Sequence, residues 1–248
     1  MNDWIVLDRT DRVSTIRFNR PDKKNALTTD MYARTAEAMA KAEANPDIRA
    51  HLFFGVPGAF TAGNDIGDFL KVAKGGDHGE DVLHFLRGLV TAKKPIVAGV
   101  DGLAIGVGTT MLLHCDLVYA TPRSLFKTPF LDLGLVPEAA SSLIAPRLMG
   151  PQRAFELLCL GEGFDADRAR EAGFVNAVVG EAELEAAAKT AAQKLAQKPP
   201  EALAAARALL RGDGADVLQR IEEERRLFAE RLRSEEARAA FEGFMARG

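Results

Sequence analysis

Short runs of β-branched and aromatic residues mark the N-terminal part of the chain: Trp4 to Leu7, Val13 to Phe18 and Ile48 to Phe54 read as strands. Between the last two the apolar period lengthens. Leu27, Met31, Ala38 and Met39 fall at roughly helical spacing, so Thr28 to Ala44 reads as a helix that Thr28 or Thr29 can cap. A helical run follows from Asp65 to Val72, then a mobile surface loop at Gly75-Gly76-Asp77 and a helix from Asp81 to Val90. A buried strand from Pro95 to Val100 enters the turn Asp101-Gly102-Leu103-Ala104-Ile105-Gly106-Val107-Gly108, which opens a short apolar helix from Thr109 to Leu113. Leu117 to Ala120 and Phe174 to Val179 add further strands. Strands interleaved with helices predict an α/β fold with crossover connections.

From Glu181 the chain turns to Ala, Glu, Arg, Lys and Leu, broken strongly only at Pro199-Pro200 and Gly212-Asp213-Gly214. This predicts a core over residues 1–192 and a C-terminal helical region over 193–248. Within that region Val217 to Leu232 and Glu235 to Met245 carry Leu218, Ile221, Leu227, Phe228, Phe241 and Phe244 on otherwise charged helices. Such stripes need a partner surface, either the chain's own core or a second subunit.

The charge balance narrows the function classes. With 35 acidic and 32 basic residues there is no global positive field to attract nucleic acid. No apolar stretch approaches the roughly 20 residues that would cross a bilayer, and the first residues lack the basic and apolar pattern of a targeting signal, so no membrane partner and a cytoplasmic location are expected. Cys115 and Cys159 sit in apolar surroundings without metal-ligand spacing, and the four histidines are scattered singly. Structural thiols and no metal are the expectation.

Three segments can carry chemistry. In Gly58-Ala59-Phe60-Thr61-Ala62-Gly63-Asn64-Asp65-Ile66, small residues let a ligand approach backbone N–H groups at a helix start, which would suit an anion; the same pattern also suits a tight turn capped by Asn64 or Asp65. The turn around Gly106-Val107-Gly108 lacks both the G-x-G-x-x-G phosphate turn and the Lys-Ser/Thr of a P-loop, yet it too presents N–H groups at a helix start. Two converging donors would make an oxyanion hole. In Pro129 to Ser142, Pro137 and Glu138 fit the first turn of a helix, where the acid complements the dipole; alternatively Glu138 is a carboxylate desolvated among Phe130, Leu135 and Val136, hence a better general base.

Together these segments, with Asn19-Arg20-Pro21, Lys24-Asn25-Ala26-Leu27, Lys94-Pro95-Ile96-Val97-Ala98 and Cys115-Asp116, resemble the crotonase (enoyl-CoA hydratase/isomerase) superfamily over nearly the whole chain. The resemblance implies a spiral of ββα units with a C-terminal helical region, and assembly as a homotrimer or a dimer of trimers. It also implies an acyl-CoA thioester substrate whose carbonyl sits on the N–H groups of Ala62 and Val107. It assigns binding of the CoA moiety to Lys24, Ala26, Leu27 and Ala62, Gly63, Asn64, Asp65, Ile66. No cofactor is implied, because CoA is part of the substrate.

Hydratases of this superfamily use two glutamates, and the matching positions here are Thr110 and Phe130, neither of which can act as a carboxylate. Val136-Pro137-Glu138 followed by Ala139-Ala140-Ser141-Ser142 is instead similar to the single-glutamate pattern of the peroxisomal-type 3,2-enoyl-CoA isomerases. Glu138 is then the expected base of a 3-enoyl-CoA to 2-enoyl-CoA isomerase, with Phe130, Leu133 and Val136 excluding water. Enoyl-CoA hydration, another acyl-CoA reaction on the same site, and a non-catalytic acyl-CoA-binding protein are the alternatives.

Overall fold

The computed structural model describes residues 3–68 and 80–245. The expected loop at Gly75-Gly76-Asp77, the end of the run to Val72 and the Phe244 side chain lie outside the described residues. The strands are β1 (Ile5–Thr10), β2 (Val13–Phe18), β3 (Ala50–Phe54), β4 (Ala59–Thr61), β5 (Ile96–Val100), β6 (Leu103–Ile105), β7 (Leu117–Ala120), β8 (Leu125–Lys127), β9 (Phe164–Asp165) and β10 (Ala177–Val178). They form a six-stranded sheet in the order β1-β2-β3-β5-β7-β10 and a four-stranded sheet in the order β4-β6-β8-β9. Pairing is parallel except at β1–β2 and β8–β9.

Consecutive strands alternate between the sheets: β3 then β4, β5 then β6, β7 then β8, each pair followed by helical chain. This is the expected ββα spiral. The repeat lives in backbone topology and leaves no repeat in the sequence. Strands β3 and β5 are buried throughout because helices cover both faces of the parallel sheet, which is why they read as unbroken apolar runs.

Helix α1 (Thr29–Ala44) starts where expected, with the Thr28 hydroxyl accepting the Met31 N–H at 3.3 Å. The remaining helices are α2 (Glu80–Thr91), α3 (Val107–Thr110) leading into a 3₁₀ turn (Met111–His114), α4 (Ser141–Met149), α5 (Pro151–Phe155), α6 (Ala166–Glu171), α7 (Leu184–Ala196), α8 (Pro200–Arg211), α9 (Ala215–Leu232) and α10 (Glu235–Met245). Phe174 to Val179 contributes only the two-residue β10, paired with Tyr119 and Ala120. Helix α7 lays Ala188, Ala192 and Ala196 on Leu52, Phe54 and Val97, so the expected division at 192/193 falls inside a continuous helix packed on the sheet.

Much of the C-terminal stripes finds its partner within the chain, although Leu227 stays 41% exposed. Ile221, Leu232, Ala237 and Phe241 join the main core, with Val217 and Phe228 packed against it. Helices α9 and α10 thus fold back over the spiral, a docking surface that spacing alone could not distinguish from a second subunit. Leu209 and Leu210 on α8 remain 87% and 88% exposed. Among the described residues no helix is long and apolar enough to cross a membrane.

Candidate active site

Two loops meet where β4 and β6 end. The first is pinned by Asn25, fully buried, whose amide donates to the carbonyls of Ala59 (2.8 Å) and Phe60 (3.1 Å) while its oxygen accepts the Arg20 N–H at 2.6 Å. Arg20 also pairs with Asp65 at 2.7 Å, tying residues 24–27 to residues 62–66. Leu27 and Asn64 form a parallel bridge: the Leu27 N–H donates to Gly63 O (2.8 Å) and the Asp65 N–H to Leu27 O (2.9 Å).

That geometry corrects one expected donor. The Ala62 N–H is spent on the Lys24 carbonyl at 2.9 Å and cannot serve an oxyanion. Gly63 O and Asp65 N both face Leu27, so the Asn64 N–H points to the other side, and it makes no hydrogen bond among the described residues. Asn64, expected only as a CoA contact, carries the unpaired N–H of this loop among the described residues.

Val107 is the first residue of α3, and its N–H likewise has no partner among the described residues, as the first N–H groups of a helix have no carbonyl a turn earlier to bond. Two glycines let the loops approach. A Cβ on Gly63 (φ +89°) would lie 2.9 Å from the Ile105 carbonyl oxygen, and one on Gly108 would lie 2.5 Å from the Thr61 methyl.

Glu138 approaches from a third segment. Helix α4 begins at Ser141, so Pro137 is not in its first turn and Glu138 is not a helix-start acid: residues 135–138 are irregular and Ala139 and Ala140 follow in the left-handed region at φ 60° and 54°. The strained pair turns the chain sharply and leaves Glu138 9% exposed. The Thr110 hydroxyl donates to its Oε1. Burial raises its pKa to about 7, opposed by the Thr110 hydrogen bond and assisted by the charge of Glu224 on α9. Nearby, Tyr32 donates to Asn64 Oδ1 at 2.5 Å, its own pKa held well above the usual phenol range by burial and by Glu138.

Glu138 and Asn64 line one cavity of about 100 Å³, walled by Leu83 and Leu86 of α2 and Ile221 and Phe228 of α9. The expected wall of Phe130, Leu133 and Val136 does not line this cavity; residues of α2 and α9 do. Of the expected CoA contacts, Lys24 is exposed beside the loop, Ala26, Ala62 and Ile66 are half-buried, Ile66 packing partly on the core, and Leu27 and Gly63 are buried. Asp65 is held by Arg20. Burial and Asp116 push the Cys115 thiol up to about 12, as expected of a structural cysteine.

The model of the family described as enoyl-CoA hydratase/isomerase matches residues 8–248. The chain belongs to that family. Enoyl-CoA delta isomerase 2 of Rattus norvegicus is 34% identical over 241 residues, which cover 95% of this chain and 61% of the rat protein; this family member thus spans about three fifths of that relative. The 4-chlorobenzoyl coenzyme A dehalogenase-2 of an Arthrobacter species is 34% identical over 205 residues, covering 79% of this chain and 73% of that protein. The structure of Pseudomonas aeruginosa OdaA superposes with a TM-score of 0.94 at 40% identity, covering 98% of this chain and 99% of the other. Within the family, isomerase, dehalogenase and hydratase names all stand among the relatives of this chain.

Proposed function

We propose that this enoyl-CoA hydratase/isomerase family member converts 3-enoyl-CoA to 2-enoyl-CoA, with Glu138 as its single acid-base group. The supporting observation is a buried carboxylate, in a cavity shared with Asn64, whose neighbour at a hydratase glutamate position is the neutral Thr110. The thioester oxygen sits on the N–H groups of Asn64 and Val107. Glu138 takes a proton from C2; the electron pair delocalises through the double bond into a dienolate whose negative oxygen the two donors stabilise; the Glu138 acid then delivers the proton to C4. The 2,3 double bond replaces the 3,4 double bond with no gain or loss of atoms, so neither water, metal nor a further cofactor enters. Lys24 meets the phosphates of CoA at the protein surface.

Hydration is the second reading, because Glu224 supplies another buried carboxylate in the same cavity wall. Its oxygens are taken by the Ala140 N–H (2.5 Å) and by the N–H (3.1 Å) and hydroxyl (2.6 Å) of Ser142, which leaves it poorly placed to activate water.

The base must be ionised, so kcat/KM for 3-enoyl-CoA rises with pH and levels off above about 7. Initial rates between about pH 5 and pH 9 read this limb; a limb at about 4.5, the ordinary carboxylate value, would contradict a desolvated base.

The protein also assembles, in this reading, as a homotrimer or a dimer of trimers. With much of the stripes of α9 and α10 docked internally, Leu209 and Leu210, with Phe155 at 67% and Leu160 at 62% exposure, are among the apolar groups that gain from burial. Light scattering at micromolar concentration returns a trimer or hexamer mass; a monomer mass that persists as concentration rises would refute it.

A further inference from the structure

Helix α4 lacks a cap of its own. Its N-cap position, Ala140, has no side-chain acceptor and is left-handed, yet the N–H groups of Ala140 and Ser142 are buried or half-buried. The acceptor comes from 84 residues away in sequence: Glu224 of α9 bonds the Ala140 N–H through one oxygen, and the Ser142 N–H and hydroxyl through the other. A second clamp lies on the preceding residue, where His114 Nε2 meets the Ala139 carbonyl at 2.7 Å. Burial lowers the His114 pKa to about 4, so it is neutral at pH 7 and its Nε2–H donates. Between them these groups fix both left-handed alanines next to Glu138. Glu224 is itself only 5% exposed, so its field reaches Glu138 through protein.

We propose that Glu224 is a positioning residue for the Glu138 base: it locks the Ala139-Ala140 turn that carries Glu138 and places a negative charge beside it. The proposal rests on Glu138 acting as the base. Glu224 touches no reacting atom in this scheme. The ionisable groups facing this cluster are Tyr32 of α1, His114 of the 3₁₀ turn, and Arg220, Glu224 and Arg225 of α9. Tyr32 and His114 are neutral at pH 7. Arg220 reaches the Ser142 hydroxyl at 3.1 Å and attracts Glu224, while Arg225 pairs with Glu222 at 3.0 Å. Burial is the largest cause of the raised proton affinity of Glu138, and the nearby charge of Glu224 adds to it; Glu224 is itself shifted upward by burial.

The test is a carboxyl NMR titration of the full-length, substrate-free protein carrying glutamate labelled with ¹³C at its side-chain carboxyl, with Glu138→Gln used to assign the Glu138 signal. In Glu224→Gln, which keeps an acceptor oxygen and the side-chain shape, the Glu138 midpoint moves down by about one pH unit. In the same variant kcat for 3-enoyl-CoA falls about tenfold at pH 8 with KM within about threefold, as expected for a weaker, less fixed base. Ser142→Ala removes a donor but leaves the charge, and its midpoint stays at the wild-type value. In the wild type, without any substitution, the two buried carboxyls titrate as a coupled pair, each curve carrying the step of the other. Independent curves in the wild type, an unmoved midpoint in Glu224→Gln, or a full shift in Ser142→Ala would each overturn the proposal. The titration needs no turnover, so a protein that fails to isomerise 3-enoyl-CoA still yields the answer on Glu224.

Discussion

Replacing Glu138 with Gln lowers the isomerisation rate by at least about 10³-fold while leaving CoA-thioester affinity within a few-fold of wild type. Gln keeps the length of the side chain and an oxygen for the Thr110 hydroxyl, so the cavity walled by Leu83, Ile221 and Phe228 retains its shape. It cannot take the C2 proton. Thr110 is a hydroxyl, and Glu224 has both oxygens engaged, so no neighbour substitutes as base. Steady-state rates and product-inhibition constants measure the two effects separately, and near-normal turnover by Glu138→Gln would remove Glu138 from the mechanism.

The same variant has a stability signature with a definite sign. The folded-state pKa of Glu138, about 7, lies above its ordinary value, so its contribution to stability is present below about pH 4.5 and is lost as pH rises through 7. At pH 8 the ionised, buried group costs on the order of 3 kcal/mol. Glu138→Gln accordingly melts several degrees above wild type at pH 8, and the advantage shrinks at pH 5. A site that destabilises the fold when charged is the expected companion of a desolvated base.

Gly63→Ala is the second large effect. At φ +89° the new methyl is strained by its own backbone, and it would meet the Ile105 carbonyl at 2.9 Å, so the loop carrying Asn64 must move away from the loop carrying Val107. The two N–H groups then no longer converge on one oxygen. A lost oxyanion donor costs on the order of 10²–10³ in kcat, and a shift of about 1 Å is enough to lose it. Gly63→Ala therefore drops kcat by about 10²-fold with Glu138 intact and its pH limb near 7 unchanged. Wild-type kcat in a folded Gly63→Ala protein would show that the Asn64 N–H is not a donor.

These effects show where the sequence was readable. The buried parallel strands and the Thr28 cap are local or composition-level features, and they stand in the structure as read, whereas the expectation of a single glutamate at the site missed the second buried carboxylate, Glu224. The choice between Ala62 and Asn64 was not local: which N–H is free depends on the pairing of residues 62–65 with Lys24 and Leu27, 38 or so positions earlier in the chain. The nature of the Glu138 segment was hidden because Pro137 and a following acid imitate a helix start, whereas the two left-handed alanines that delay the helix to Ser141 carry no glycine to announce them. Glu224 was concealed in the run Glu222-Glu223-Glu224. One signal could have exposed it: Ile221, Glu224 and Phe228 follow i, i+3, i+7 spacing, so an acid stands in the middle of an apolar stripe, a place a carboxylate occupies only when something satisfies it.

The identity of the product tests the central claim most directly. Purified protein incubated with 3-enoyl-CoA, and the CoA thioesters separated by chromatography with mass detection, should yield 2-enoyl-CoA of unchanged mass. Accumulation of 3-hydroxyacyl-CoA, one water heavier, from either enoyl isomer would contradict a single-carboxylate isomerase and make water activation the work of this site.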